Sequence, residues 1–133
     1  TRPFKLIGAP WLDGRRLAKK LNSLRLPGVL FRAAWFKPSF SKFSGEECSG
    51  VELHVTDARA CRPVTVAVHL LSAIRKQHPA EFKFRERAFD RLAGTDTLRK
   101  ALEAGKSPTV IIEGWKKGLA AFLKRREPYL LYR

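Results

Sequence analysis

Only two cysteines and three histidines occur among the 133 residues, and their spacing matches no metal-ligand set. Neither a metal centre nor a cofactor is expected. Cys48 and Cys61 flank a stretch that reads as a strand over 51–57. If extended, those residues alone cover roughly 23 Å at about 3.3 Å each. A disulfide requires Cα atoms within about 7 Å, so two free thiols are expected. Phosphate loop, dinucleotide fingerprint and nucleophile elbow are all missing. The longest mostly apolar run, Val64 to Ile74, is interrupted by Thr65, His69 and Ser72. It is too short to cross a bilayer, so no membrane partner is expected. The opening Thr-Arg-Pro carries neither an initiator Met nor a signal-peptide pattern, as expected of a segment cut from a longer chain. There is no internal repeat, linker or low-complexity segment.

Acidic residues are also scarce: 12 stand against 27 Lys and Arg, for a net charge of +15. Residues 1–44 carry +9, residues 45–106 carry +2 and residues 107–133 carry +4. Basic ends around a nearly balanced middle attract anions such as nucleic acid, anionic lipid or acidic polysaccharide. Trp35, Phe36, Phe40 and Phe43 lie among these cations, which gives an alternative reading as a basic module for nucleic acid or another polyanion. No named nucleic-acid module fits, and the same aromatics serve equally as core. Hydrophobic residues make up 44% of the chain, enough for the core of one domain spanning 1–133.

Taken in order, Phe4–Ile7 reads as a short strand ended by Gly8-Ala9-Pro10, with Trp11 in the turn. Asp13 is a helix N-cap, and Leu17, Ala18, Leu21 and Leu24 follow at helical spacing until Pro27-Gly28. Val29–Phe36 is a strand with two largely apolar faces, hence central or covered; Arg32 is its single charge. Arg62-Pro63 opens a helix with the stripe Ala67, Leu70, Leu71 and Ile74. His69 and His78 fall outside that stripe, at the surface. Glu81–Leu92 reads as a strand, or as a strand followed by a helical turn. Thr95 or Asp96 caps a helix through Ala104, with Gly105 beyond it. Ser107-Pro108 starts the last helix, with Ile111, Ile112, Trp115, Leu119 and Phe122 inward and Glu113 placed to pair with Lys117. Tyr129–Tyr132 is expected to fold back, since four exposed large apolar residues would be a liability. The expected fold is α+β, a small mixed or antiparallel sheet with about four helices, covering 14–24, 63–77, 96–104 and 108–126.

The centre of the chain is the stretch from Phe40 to Asp57. It begins as a loop broken by Gly45 and Gly50 and becomes the clearest strand in the sequence. Val51, Leu53 and Val55 alternate with Glu52, His54 and Thr56, one set on each face. The polar row, ending at Asp57, either lines a cleft or simply meets water from a half-buried strand.

Several segments together resemble one family: Phe4–Gly14, Phe40–Gly45, Cys48–Asp57, Phe89–Asp96 and the ending Pro128–Tyr132. In order and from end to end, they resemble the C-terminal part of the exo-β-N-acetylmuramidases. That resemblance implies a bacterial glycoside hydrolase that removes terminal N-acetylmuramic acid from peptidoglycan fragments, working in the periplasm or outside the cell in cell-wall recycling. It implies a partner, the larger Rossmann-like N-terminal catalytic domain of the parent chain, which holds the acid/base carboxylate. Residues 1–133 are then an accessory domain, inactive alone and without a catalytic residue. The cleft lies towards the junction of the two domains. Trp11, Phe43, Glu52, His54, Thr56 and Asp57 are the expected cleft-border residues; His54 is equally readable as a structural histidine.

Overall fold

The computed structural model describes residues 4–40 and 42–132. The Thr1-Arg2-Pro3 opening and Ser41, within the Phe40–Gly45 loop, lie outside them. The fold is α+β, and the chain divides into two compact units, one through Phe84 and one from Arg85 onward.

The first unit holds three antiparallel strands in the order β1-β3-β2: β1 Leu6–Ala9, β2 Val29–Phe36 and β3 Cys48–Val55. Two helices belong to it, α1 Gly14–Ser23 and α2 Pro63–Gln77. The starts of both helices follow from local chemistry. Asp13 is the N-cap of α1 and its carboxylate accepts the Arg16 N–H at 2.9 Å, while Pro63 occupies the first turn of α2, where no N–H is needed.

All three strands differ from the sequence reading, β1 by running over Leu6–Ala9 rather than Phe4–Ile7. β2 is an edge strand and β3 is central; Leu30 on the outer face of β2 is exposed. The free edge is partly satisfied by α1, because the Asn22 amide donates to the Phe31 carbonyl and accepts the Phe31 N–H. β3 starts three residues before the expected position and ends two before, at Val55. Gly50, expected to break a loop, lies inside β3 opposite Gly8 of β1. A Cβ at Gly50 would sit 2.0 Å from the Ile7 carbonyl oxygen, and one at Gly14 would sit 2.1 Å from the Gly50 carbonyl oxygen. Glycine is therefore needed where strand, strand and helix start converge. For the same reason β1 runs through Gly8 instead of stopping there.

The core of this unit lies between the sheet and α1 and α2. Leu17 and Leu21 of α1, Val29 and Phe31 of β2, Val51 of β3, and Val66, Leu70, Ala73 and Ile74 of α2 form it. The buried stripe of α2 includes the expected Leu70 and Ile74 but takes in Val66 and Ala73 in place of Ala67, which is exposed, and Leu71, which is half-buried. Full burial of a Leu or Val is worth about 1.5–3 kcal/mol, so Leu17, Leu21 and Val51, all fully buried, are major contributors. Cys48 and Cys61 are buried and unpaired.

The second unit contains α3 Glu86–Ala93, α4 Thr97–Glu103, α5 Pro108–Arg126 and a 3-10 turn over Glu127–Tyr129. Among the described residues the α-helices thus number five rather than four, since Glu86–Ala93 is a helix. The segment before it, 81–85, is turn and coil rather than strand. α3 ends where Gly94 adopts a left-handed φ of 73°. Ser107 caps α5 by accepting the Val110 N–H. Glu113 pairs with Lys116, one residue short of the expected partner.

The inward stripe of α5 is shorter than its sequence pattern: Ile111 is buried, but Leu119 and Phe122 are exposed. Tyr129–Tyr132 does not fold back; Leu131 is 91% exposed and Tyr132 90%.

Candidate functional site

The most developed polar constellation of the first unit lies on the sheet face opposite the helices. Register places Leu6 of β1, Glu52 of β3 and Arg32 of β2 side by side, with His54 opposite Leu30 one step along. These positions share a face because side chains alternate along a strand. Glu52 is only 5% exposed, and its Oε2 accepts from Arg32 Nη2 at 2.8 Å. His54 Nε2 lies 3.5 Å from the same oxygen. The Arg32 side chain is 70% exposed and that of His54 45%. A buried carboxylate thus anchors two half-open cationic or hydrogen-bonding groups, an arrangement that fixes their geometry while leaving them accessible.

A cleft of about 420 Å³ opens here, lined by Leu6, Arg32, Ala34, Trp35, Phe36 and Glu52 among others. The ring of Trp35 is exposed, and the Arg15 guanidinium from α1 sits 5.2 Å from its centre, a cation–π contact that orients the indole. The cleft therefore offers one guanidinium anchored on a buried carboxylate, with the His54 imidazole beside that carboxylate on the same face, while Trp35 alternates to the face where Arg15 of α1 meets its ring. The cleft can hold an anionic or hydroxyl-bearing ligand. With its carboxylate ion-paired and buried, Glu52 is placed to position its neighbours rather than to exchange a proton with a ligand.

The other expected residues lie elsewhere. Trp11 and Phe43 come together in a second groove of about 380 Å³ beside β1 and α2, with Leu71, Ile74 and Phe82. Phe43 has a left-handed φ of 63°, an uncommon conformation for an aromatic residue, and Lys42 Nζ lies 4.7 Å from its ring centre. Trp11 packs on His78, with ring centres 5.4 Å apart, and His78 Nε2 accepts the Asp13 N–H at 3.2 Å. His78, expected at the surface, ties the end of α2 to the start of α1. His69 is half-buried, and that burial pushes its pKa below the usual histidine value. Thr56 lies past the end of β3 with its N–H on the Gly28 carbonyl. The Asp57 carboxylate accepts the Arg59 and Ala60 N–H groups, a turn-closing role.

Of the six expected positions, Glu52 and His54 share one site, Trp11 and Phe43 another, and Thr56 and Asp57 belong to a turn. Arg32 and Trp35 were missed as site residues. The available signal for Arg32 was its isolation: it is the single charge in Val29–Phe36. Among the described residues no group of three or more His, Cys, Asp or Glu could hold a metal ion. Nor is any described helix long and apolar enough to cross a membrane.

Fold and open face together define an α+β module whose sheet presents a buried-carboxylate, arginine and histidine cluster. The chain belongs to the family described as exo-beta-N-acetylmuramidase NamZ, C-terminal, which matches residues 1–132. It is 44% identical, over 99% of its own length, to the peptidoglycan beta-N-acetylmuramidase NamZ of Bacillus subtilis (strain 168), of which it covers 32%. The crystal structure of a DUF1343 family protein from Bacteroides fragilis NCTC 9343 matches it with a TM-score of 0.90 at 27% identity. That match covers 100% of this chain and 36% of the other. The chain therefore spans about a third of the length of these relatives.

Proposed function

We propose that this chain is the C-terminal accessory part of a bacterial exo-β-N-acetylmuramidase. In this reading it walls the cleft that receives terminal N-acetylmuramic acid from peptidoglycan fragments, a step in cell-wall recycling. An N-terminal catalytic domain of the same protein supplies the acid/base carboxylate, and residues 1–133 alone do not turn over substrate. Membership of the family supports the reaction class.

The observation that carries the site is the Arg32–Glu52–His54 cluster on the open sheet face. Muramic acid bears a lactyl carboxylate. Glu52 takes one Nη of Arg32, and the remaining N–H groups of the guanidinium are suited to a carboxylate. His54, beside the same carboxylate, can hydrogen-bond a sugar hydroxyl.

The test uses a two-domain family member carrying these residues and a chromogenic muramic acid glycoside. Arg32→Ala is expected to raise KM about 10-fold or more, the range for a lost hydrogen bond to a charged group, with kcat little changed. His54→Ala is expected to lower kcat/KM with the melting temperature held. An unchanged KM in Arg32→Ala would remove this face from the cleft. Robust turnover by residues 1–133 would overturn the accessory role.

A further inference from the structure

A third groove of the first unit has no part in that reading. It runs between α1 and α2, has a volume of about 410 Å³, and is lined by Arg16, Lys19, Lys20, Ser23, Lys76 and Gln77 over a floor at Ala73. Arg16, Lys19 and Lys20 stand at i, i+3 and i+4, so α1 presents all three on one side, and Lys76 comes from near the end of α2. All four cations are exposed. Among the described residues, no carboxylate lies within ion-pair distance of any of them. The one acid close in sequence, Asp13, is engaged by its cap bond to the Arg16 N–H.

Four like charges around one groove repel one another, and nothing in the lining offsets that. Some cations elsewhere in the protein are paired: Lys100 with Asp96, Lys116 with Glu113 and Arg32 with Glu52. An uncompensated cluster in a concave setting focuses positive potential and raises local anion concentration. Its chemistry is one guanidinium, which takes oxyanions in a fork, and three ammonium groups, which act as point charges. A single monoanion would leave most of that charge unmet. An anion with two or more adjacent phosphate groups would meet it.

We propose that the α1–α2 groove is a binding site for an oligophosphate anion, held by Arg16, Lys19, Lys20 and Lys76. The site is separate in residues from the Glu52 face and stands whether or not that face binds muramic acid.

The test is calorimetric titration of the protein with inorganic tripolyphosphate at two salt concentrations, with phosphate and citrate as comparators. Expected are saturable one-to-one binding, about ten-fold or more weakening from low to moderate salt, and much weaker binding of phosphate and of citrate. The double variant Lys19→Ala with Lys76→Ala is expected to lose at least ten-fold in affinity. A matched variant on α5, Lys117→Ala with Lys124→Ala, is expected to stay within two-fold. Both pairs are solvent-exposed, and thermal melts establish that each variant folds; Lys76→Ala alone serves if the double variant does not. Equal losses in both pairs would assign the binding to the general field of a +15 protein and overturn the site. Absence of saturable binding would do the same, and citrate binding as tightly as tripolyphosphate would overturn the phosphate assignment.

Discussion

The two units of this chain are stabilised by different physics. The first buries a continuous set of apolar side chains from sheet and helices, with Leu17, Leu21 and Val51 wholly inaccessible. In the second, Leu102 and Ile111 are the buried apolar residues among those described, and α3 has none. What ties α3 to α4 is instead an arginine. Arg99, 9% exposed, donates through Nε and Nη2 to the Asp90 carboxylate at 2.8–3.2 Å and through Nη1 to Glu103 at 3.1 Å, with Glu86 3.9 Å away. The hydrogen bonds it donates to Asp90 hold the guanidinium proton more firmly than usual. One region is held mainly by non-directional burial, on which pH acts only through isolated groups such as His69. The other depends on a geometry that acid and salt attack directly.

The sharpest break should come at the glycine crossing. Gly50→Ala places a Cβ 2.0 Å from a backbone oxygen, where no side chain can give way. A loss of about 3 kcal/mol or more is expected, at the upper end for overpacking, read as a collapsed denaturant midpoint. Leu21→Ala should follow at about 2–5 kcal/mol, with amide exchange accelerated throughout the first unit and little changed in the second. Arg99→Gln should do the reverse: exchange rises in α3 and α4 while β1–β3 stay protected. If exchange in the sheet rises as much as in α3, the two units unfold as one and the contrast fails.

A smaller effect separates the units by pH. Burial lowers the pKa of His69 below the usual histidine value, so the unfolded chain binds more protons between the two values. Stability of the first unit is then full above about pH 6.5 and falls as pH drops through the folded value. His69→Gln should abolish that slope in thermal melts. In the second unit, pairing with Lys100 lowers the pKa of Asp96 below 3.8. Its contribution persists to lower pH and is lost only as pH falls through that depressed value. Helicity of α4 followed by NMR between pH 5 and 2 should drop late, and in Lys100→Ala it should drop earlier.

Local signals were legible wherever chemistry is local. The Asp13 cap, Pro63 in the first turn of α2 and Ser107-Pro108 at the head of α5 all stand in the structure, whereas the alternation of β3 holds only in part, since Glu52 is buried and Val55 exposed. What escaped depends on partners distant in sequence. Gly50 looks like a breaker until Gly8 and Gly14 are known to press on it. Val29–Phe36 has the composition of a central strand but lies at an edge, because Asn22 supplies the missing backbone partners. Glu81–Leu92 alternates charge with Phe82, Phe84 and Phe89 in a way that suits a strand, alone or followed by a helical turn, yet Glu86–Ala93 is a helix that Arg99 joins to α4. The stripe of α5 gave its direction but not where its cover stops. Of the candidate site, Glu52 and His54 could be read from one strand, whereas their link to Arg32 exists only through the β2–β3 register.

The two unpaired thiols have a practical consequence. Cys48 and Cys61 are both inaccessible, and burial, with Glu46 adding to it, raises the Cys48 pKa, so the reactive thiolate is scarce as well as hidden. Both lie in the first unit, and the sequence has no other cysteine. A thiol-specific reagent thus acts as a one-sided clock. Its modification rate counts openings of the sheet and its helices, and fraying of α3, α4 or α5 leaves no mark on it. Combined with the fluorescence of Trp115 in α5, in a variant whose Trp11 and Trp35 of the first unit are replaced by Phe, such labelling would time the two halves of the chain separately within a single sample.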